Sequence, residues 1–491
     1  MGARQFCWGK LGPVNSSSVT FGTSGLRGLA CELSGGIAAN YARAFAIFLS
    51  GTQAREVLVA SDLRDSSPLI KEQVLAGLAA EGCEPIDCGT IPTPALALAA
   101  MRKGVPSAMI TGSHIPAERN GIKFYLPSGE INKADEAAIA RLAQIGSAAP
   151  VSGASIKRMA GDIGAEYVER YCRLLGENCF QGLRIGVYEH STVSRDLMSQ
   201  LLERQGAEVV RLGRARVFKA MDTENVDSAT KKLFRKWSAA HELDAIVSAD
   251  GDGDRPLIAD ETGRIVPGDI IGIITAKFLG ASAVVTPITS NSGTEQSLPC
   301  PVLRSRVGSP FVIAGMEEAK SAGHQAIIGF EANGGVLLGS DIRIGNAMLP
   351  ALPTRDAFLP IISVLCACAS ARQTVSQLVR GLGLPMTAAG KLENIPGHIS
   401  QAFMQRMKNE LEQFSVFLKP LGELLSVDHT DGLRAAFSNR SIIHFRASGN
   451  EPALRCYAEA ACEDEANALL KLATTLMRNF QHKSLLSENS P

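Results

Sequence analysis

The 491-residue chain has no excess charge of either sign. Its 49 Lys and Arg balance 49 Asp and Glu, and no long run of like charge occurs. Nucleic acids and anionic membranes are bound by concentrated basic patches, so neither is expected as a partner. Long apolar runs are scarce too. The longest uncharged apolar stretch, Ala357 to Ala371, has 15 residues and contains Pro360, whereas a bilayer-spanning helix needs about 20. It reads as a core helix beginning at Asp356. The opening "MGARQFCWGK" lacks the apolar centre of a signal peptide, and Phe6 stands where a myristoylation signal requires Ser or Thr. The 11 Cys are odd in number and show no C-x-x-C pair. They are expected to be reduced, mostly buried thiols of a cytoplasmic protein.

What the chain does have is core-forming material, with hydrophobic residues at 45%. At roughly 150 residues per domain, its length suggests three or four domains. One unit recurs. "EVLVASDLRDSSPLIKEQVLAGLAAEGCEPIDCGT" reads as strand, polar loop, helix, strand, and "LRIGVYEHSTVSRDLMSQLLERQGAEVVRLG" has the same layout. A third copy runs from "AVVTPITSNSG" to "AGHQAIIGFEANGG". Continuous apolar strands alternating with helices predict parallel sheets covered on both faces, with the Ser/Thr/Asp-rich loops capping the following helices. The last stretch differs: helical "MQRMKNELEQF", strand-like "SIIHFRAS" and "LRCYAEAAC", then the long helical pattern "DEANALLKLATTLMRNF". The expected class is three tandem α/β domains followed by a smaller α+β domain. With "GSAAPVSGAS" at 146–155 as a linker, the domains are expected at 1–150, 151–256, 257–375 and 376–491.

Several loops carry chemistry. In "MITGSHIPAERNGIKFY", residues 109–125, Ser113 adjoins His114 in a Gly- and Pro-bracketed turn. That suggests nucleophilic catalysis, yet adjacent side chains rarely point at each other. In "SADGDGDRP", residues 248–256, Asp250, Asp252 and Asp254 alternate with Gly. The glycines let the backbone turn tightly, so three mutually repelling carboxylates can meet on one hard cation. An EF-hand is the competing pattern, with Glu261 at loop position twelve. But Arg255 stands where an EF-hand needs Gly, and "LDAIVSA" before it reads as a strand. Oxygen ligands beside an Arg suit Mg²⁺ with a phosphate better than structural Ca²⁺. In "GFEANGG", 329–335, Glu331 ends an apolar strand, where parallel sheets bind ligands. Taken alone, an ordinary strand exit with a solvated Glu is the stronger reading. In "RASGNEP", 446–452, Arg446, Ser448, Gly449 and Asn450 form a donor set suited to a phosphate dianion, and equally a Gly-Asn hairpin turn. "FGTSGLRG", 21–28, is a Gly-rich turn or a loop presenting Arg27 to an anion.

A serine loop, D-G-D-G-D-R, a G-x-E loop and R-x-S-G-x-E-P, in this order over the whole chain, resemble the α-D-phosphohexomutase superfamily. The resemblance implies four domains of that type around a central cleft, each contributing one loop. Ser113 would carry the phosphoryl group. Asp250, Asp252 and Asp254, with phospho-Ser113, would hold Mg²⁺, and Arg255 would lie beside the transferring group. Glu331 and Asn333 would hold sugar hydroxyls, and Arg446, Ser448, Gly449 and Asn450 the unreacting phosphate. Lys123 and Arg27 would serve proton transfer and charge at the reacting end, with Lys123 beside Mg²⁺ and an Arg. His114 would be a supporting hydrogen-bonding residue. The chain departs from the family pattern where Ile115 replaces Asn, Gly112 a common Ala, Asn333 Ser, Gly335 His and Asn450 Thr. The variants T-G-S-H-I-P and G-F-E-A-N-G-G are most similar to bacterial phosphomannomutases. That implies exchange of mannose 6-phosphate with mannose 1-phosphate through a hexose 1,6-bisphosphate, which also primes the serine, in supply of GDP-mannose. Hexose phosphates would be the partners, bound by a monomer or homodimer. Phosphoglucomutase activity is the first alternative. Phosphoglucosamine mutase, a metal-dependent phosphatase and a silent sugar-phosphate binder follow.

Overall fold

The computed structural model describes residues 18–22, 24–51, 55–145, 156–159, 161–393, 395, 397–447 and 453–488. The expected linker and the loop bearing Ser448, Gly449 and Asn450 lie outside these residues. Four main sheets follow one another along the chain. The first has eight strands, with Glu56–Ser61 parallel to both Glu84–Thr90 and Ser107–Ile110. The second places Arg184–Tyr188 between Glu208–Leu212 and Ala245–Ala249, all parallel. The third does the same with Ala283–Pro287 between Val302–Ser305 and Ile327–Phe330. The fourth is a five-stranded antiparallel sheet covered by the helices Gly397–Asn409, Leu411–Leu418 and Glu463–Glu488. The α/β and α+β classes read from the sequence are those observed.

The first three sheets are mixed rather than parallel, which corrects the expectation. In each, the chain leaves a central parallel strand, makes a short loop and returns as an antiparallel neighbour. Ser107–Ile110 returns as Arg119–Leu126, Ala245–Ala249 as Pro256–Ala259, and Ile327–Phe330 as Val336–Leu338. These strands are buried on both faces, so they read as continuous apolar runs whichever way they point. The three return loops are the serine, Asp and Glu loops, which therefore occupy one equivalent place in three related sheets. The fourth candidate loop joins Ile442–Ala447 to its antiparallel partner Ala453–Ala460. A division after residue 256 would cut through the second sheet, because Pro256–Ala259 pairs within it. Likewise Lys157–Arg158 joins the first sheet beside Glu84–Thr90, beyond the expected boundary at 150.

The loops do not cap their helices as expected. Ser66 and Ser194, at the N-caps of Ser67–Ala80 and Arg195–Arg204, make no side-chain cap bond. The polar side chains of the first loop bond to each other and to the serine loop instead. The apolar stretch at 357–371 is the core helix Phe358–Ala371, buried through most of its length. It begins after Asp356, whose Oδ1 accepts the Phe358 N–H at 2.8 Å. Asp356 also accepts the hydroxyls of Tyr167 and Tyr171, tying the second unit to the third. Among the described residues no single helix is long and apolar enough to cross a membrane. One apolar core runs through the first three sheets, from Leu58 through Ile185 to Phe330 and Phe358. The fourth sheet packs its own core around Phe414, Phe445 and Cys456.

Candidate active site

The serine loop is held open by one buried cation. Arg64, 2% exposed, donates to the carbonyls of Ser113 at 2.9 Å, Ile115 at 2.6 Å, Pro116 at 2.8 Å and Arg119 at 3.0 Å. It pairs with Asp62 at 3.2 Å and lies over the Phe218 ring from the second unit, 4.1 Å from its centroid. Thr111 Oγ1 donates to Asp62 at 2.8 Å and accepts the Ser113 N–H at 2.7 Å. Within this frame Ser113 takes φ 54°, a left-handed conformation uncommon outside glycine. Strain of this kind persists only where surrounding bonds over-determine it. Gly112 is explained by the same residue: a Cβ there would meet the Arg64 guanidinium carbon at 2.6 Å.

Ser113 Oγ donates to Asp250 Oδ2 at 2.6 Å, whereas His114 Nδ1 is 3.4 Å away. Arg255 Nη1 lies 2.8 Å from that same ring nitrogen. Guanidinium only donates, so Nδ1 accepts. Burial, with the charge of Arg255 next, holds the imidazole well below its ordinary pKa. His114 is a neutral acceptor for Arg255, and no hydrolase-type Ser-His pair exists here.

Asp250, Asp252 and Asp254 are fully buried, and one oxygen from each lies within 4.8 Å of the others. Gly251 and Gly253 allow this approach. A Cβ at 251 would stand 2.9 Å from the Ser113 carbonyl, and one at 253, where φ is 74°, 2.1 Å from Ser194 Oγ. Asp252 Oδ2 accepts from Thr93 at 2.6 Å and Lys123 at 2.7 Å. Asp254 Oδ2 accepts from Lys123 and, at 2.9 Å, from Arg355. Asp252 Oδ1 and Asp254 Oδ1 are buried with no hydrogen-bond partner among the described residues. Burial pushes the Asp250 carboxyl well up, reinforced by Asp252 and Asp254. Burial also opposes ionisation of Asp254, but Arg355, Lys123 and Arg255 overcome it and hold that carboxyl below its ordinary value. Clustered carboxylates with two buried oxygens that accept no hydrogen bond among the described residues suit a hard divalent cation. Lys123 therefore sits against two carboxylates and shares Asp254 Oδ2 with Arg355.

Above this cluster opens a cleft of about 660 Å³, its mouth included. Each of the four sheets contributes to its walls: Arg27, Ser113 and His114; Glu224 and Arg255; Glu331, Asn333 and Arg355; Arg446, Arg455 and Tyr457. Arg27 donates to the Leu26 and Thr111 carbonyls at 2.9 and 3.2 Å, and burial lowers its pKa to about 10. Gly121 makes room for it, since a Cβ there would meet Arg27 Nη1 at 2.3 Å. Glu331 accepts from Arg355 at 3.0 Å. Asn333 Oδ1 accepts the Gly335 N–H at 2.9 Å, closing the loop's own turn. Gly335, where the family pattern has His, packs on Arg355: a Cβ would lie 2.6 Å from its Cδ. Arg446 pairs with Asp431 at 3.0 Å. Its cross-strand neighbour is Arg455, which pairs with Glu224 at 2.9 Å.

The structure thus brings Ser113, His114, Lys123, Arg27, Arg255, Glu331, Asn333, Arg446 and the three Asp into one region. It adds Arg64, Arg355, Glu224, Arg455 and Tyr457, which the sequence reading missed. Arg355 had a faint signal, a charged pair closing the strand Leu352–Asp356 before an apolar helix. Glu224 had none.

Comparison with known proteins places this geometry. The phosphoglucomutase/phosphomannomutase family matches through its alpha/beta/alpha domain I at residues 18–148, its alpha/beta/alpha domain III at 267–383 and its C-terminal domain at 399–475. The chain is similar to the phosphomannomutase of Sinorhizobium fredii (strain NBRC 101917 / NGR234), 48% identical over 459 residues, 92% of this chain and 97% of that protein. It is 40% identical to the phosphomannomutase of Salmonella muenchen over 479 residues, 96% of this chain and 97% of that protein. A solved phosphoglucomutase/phosphomannomutase family protein from Burkholderia thailandensis shares the fold, with TM-score 0.70 and 20% identity over 93% of this chain and 97% of that one. By these sequence matches along nearly its whole length, the chain belongs to the phosphoglucomutase/phosphomannomutase family of the α-D-phosphohexomutase superfamily.

Proposed function

We propose that the chain is a phosphomannomutase, interconverting mannose 6-phosphate and mannose 1-phosphate through a phosphoserine enzyme. The observation that carries this reading is Ser113. Its hydroxyl is held in a strained turn against a cation-ready carboxylate cluster, and it faces a cleft whose far end presents two Arg. Phosphoryl transfer asks a protein for alignment and charge stabilisation and little covalent chemistry. Mg²⁺ fits the three Asp, and when bound it supplies positive charge beside the phosphoserine.

The chain's own residues divide the remaining work. The substrate's phosphate docks on Arg446, aided by Arg455 and by Ser448, Gly449 and Asn450. Glu331 and Asn333 hold ring hydroxyls, and Arg355 fixes Glu331. The free sugar hydroxyl attacks the phosphorus of phospho-Ser113, and the bond from phosphorus to the serine oxygen breaks. Lys123 and Arg27 stand at this end, Lys123 for proton transfer and Arg27 to balance charge. Arg255, oriented by His114, lies beside the transferring group. The resulting hexose 1,6-bisphosphate turns end for end and returns its other phosphoryl group to Ser113. A trace of that bisphosphate primes the serine. All ten described cysteines are free, which suits the reducing cytoplasm, where the product would feed GDP-mannose synthesis.

Turnover of mannose 1-phosphate, glucose 1-phosphate and glucosamine 1-phosphate, with Mg²⁺ and a trace of glucose 1,6-bisphosphate, tests this. Preference for mannose, or parity with glucose, is expected. Release of inorganic phosphate in step with substrate loss would make the protein a phosphatase, and no isomerisation of any sugar would end the mutase reading.

A further inference from the structure

Glu224 belongs to no motif, yet it reaches the cleft. Its Oε2 accepts from Arg455 Nη1 at 2.9 Å, with side-chain exposures of 17% for Glu224 and 14% for Arg455. Two bonds fix the turn that carries it. The Glu224 N–H donates to Asp222 Oδ1 at 3.1 Å, and Thr223 Oγ1 donates to the Asn333 carbonyl at 2.8 Å. The second bond fastens the Glu224 turn to the sugar loop. Glu224 and Glu331 therefore present carboxylates from adjoining walls of one cleft.

A carboxylate accepts hydrogen bonds only, and it repels phosphate. Beside Arg446 and Arg455 it needs another purpose. In the structure Arg455 satisfies it. A docked phosphate competes for that guanidinium through charge-assisted bonds. Glu224 is then left largely desolvated with a weakened partner, which is unfavourable unless new donors arrive. The donors that accompany the phosphate are the sugar's hydroxyls.

The choice among them rests on the mutase reading above. A hexose 1-phosphate docked through its phosphate places C1 at the Arg446 end and directs its C6 hydroxyl toward Ser113. Glu331 and Asn333 engage C3 and C4. The ring hydroxyl left over is at C2, on the carbon next to the phosphorylated one and so on the Arg455 side. We infer that Glu224 accepts a hydrogen bond from the C2 hydroxyl of a docked hexose 1-phosphate and is a specificity-determining residue. C2 is the carbon at which mannose and glucose differ, so this contact reads a position that Glu331 and Asn333 do not. A site built to bond a hydroxyl rejects the analogue lacking it far more strongly than an apolar pocket rejects a missing methylene.

The test compares kcat/KM for wild type, Glu224→Ala and Glu224→Gln on mannose 1-phosphate, glucose 1-phosphate and 2-deoxyglucose 1-phosphate, the last being the 2-deoxy form of both sugars. Wild type is expected to favour one epimer over the 2-deoxy compound by at least about 30-fold, and Glu224→Ala to treat the two within about 3-fold. Glu224→Gln keeps an acceptor oxygen and should retain part of the preference. It also carries the comparison if the Ala variant does not fold. Survival of the full preference in Glu224→Ala would overturn the inference. So would an equal fall in KM for all three sugars, which would make Glu224 only the counter-ion of Arg455. Wild type inactive on every sugar would instead remove the mutase reading, and this inference with it.

Discussion

At the Ser113 end of the cleft, the Asp cluster, Lys123, Arg64 and Arg355 are each at most 3% exposed and bonded to a loop of another segment. At the Arg446 end, Arg446 and Arg455 keep 12% and 14% of their side chains exposed and pair with Asp431 and Glu224. The first end draws on sheets sharing one apolar core, and the second belongs to a sheet with a core of its own. The reacting end is thus pre-organised, which electrostatic catalysis requires. The docking end is provisional, its ion pairs replaceable by a phosphate. Damage to the first should appear in kcat, and damage to the second in KM.

The largest effect is expected from Ser113→Ala. Without the phosphoryl carrier, kcat should fall by at least about 10³-fold, while the melting temperature falls only slightly, because the left-handed strain remains and Asp250 loses its buried donor. A variant retaining more than a tenth of wild-type turnover would remove Ser113 from the chemistry. Next comes Arg64→Lys. A lysine cannot serve four carbonyls with a planar fork. A loss of about 10²-fold in kcat with KM nearly constant is the expected outcome, since misplacement of about 1 Å costs that much. A rise in KM alone would show that Arg64 does not position Ser113.

Arg455→Ala sharpens the contrast from the other side. Loss of one charge-assisted contact of about 1.5–3 kcal/mol should raise KM roughly 10- to 100-fold and leave kcat within a few-fold. Equal losses in both parameters would mean that the docking end also acts in the transition state.

The smallest effect concerns stability against acid. Burial lowers the pKa of His444 to about 4 despite its bond to the Asp431 carbonyl at 2.6 Å. The unfolded histidine, near 6.5, takes up its proton first. The stability that neutral His444 supports is therefore whole above about pH 6.5 and is lost as the pH falls from 6.5 to 4, up to ~3 kcal/mol in all. The loop that holds Arg446 through Asp431 should loosen in that window. His444→Gln should flatten the decline in unfolding free energy between pH 6.5 and 4, measured by urea titration; an unchanged slope would show that other groups govern it.

The four loops were legible in the sequence because each concentrates unusual chemistry in a few residues, as Asp250, Asp252 and Asp254 do between glycines. The strand-helix grammar was legible because buried strands and amphipathic helices differ in period. Strand direction was not, since a strand buried on both faces is apolar throughout. This hid the shared position of the three return loops. Arg64 was missed because "SDLRDSS" reads equally well as a loop that caps a helix, and only the fold brings Ser113, Ile115 and Arg119 around it. Arg355, Glu224 and Arg455 acquire meaning only from partners far along the chain. Gly335 is instructive in the other direction. Its departure from the family's His is explained by Arg355, which packs where that side chain would begin.

The most direct measurement is the site of phosphorylation. Enzyme incubated with glucose 1,6-bisphosphate and Mg²⁺ should gain one phosphoryl group, located by peptide mass spectrometry at Ser113. Chase with mannose 1-phosphate should then remove it as hexose bisphosphate. Turnover with Ser113 unmodified, or with the phosphoryl group on another residue, would contradict the account.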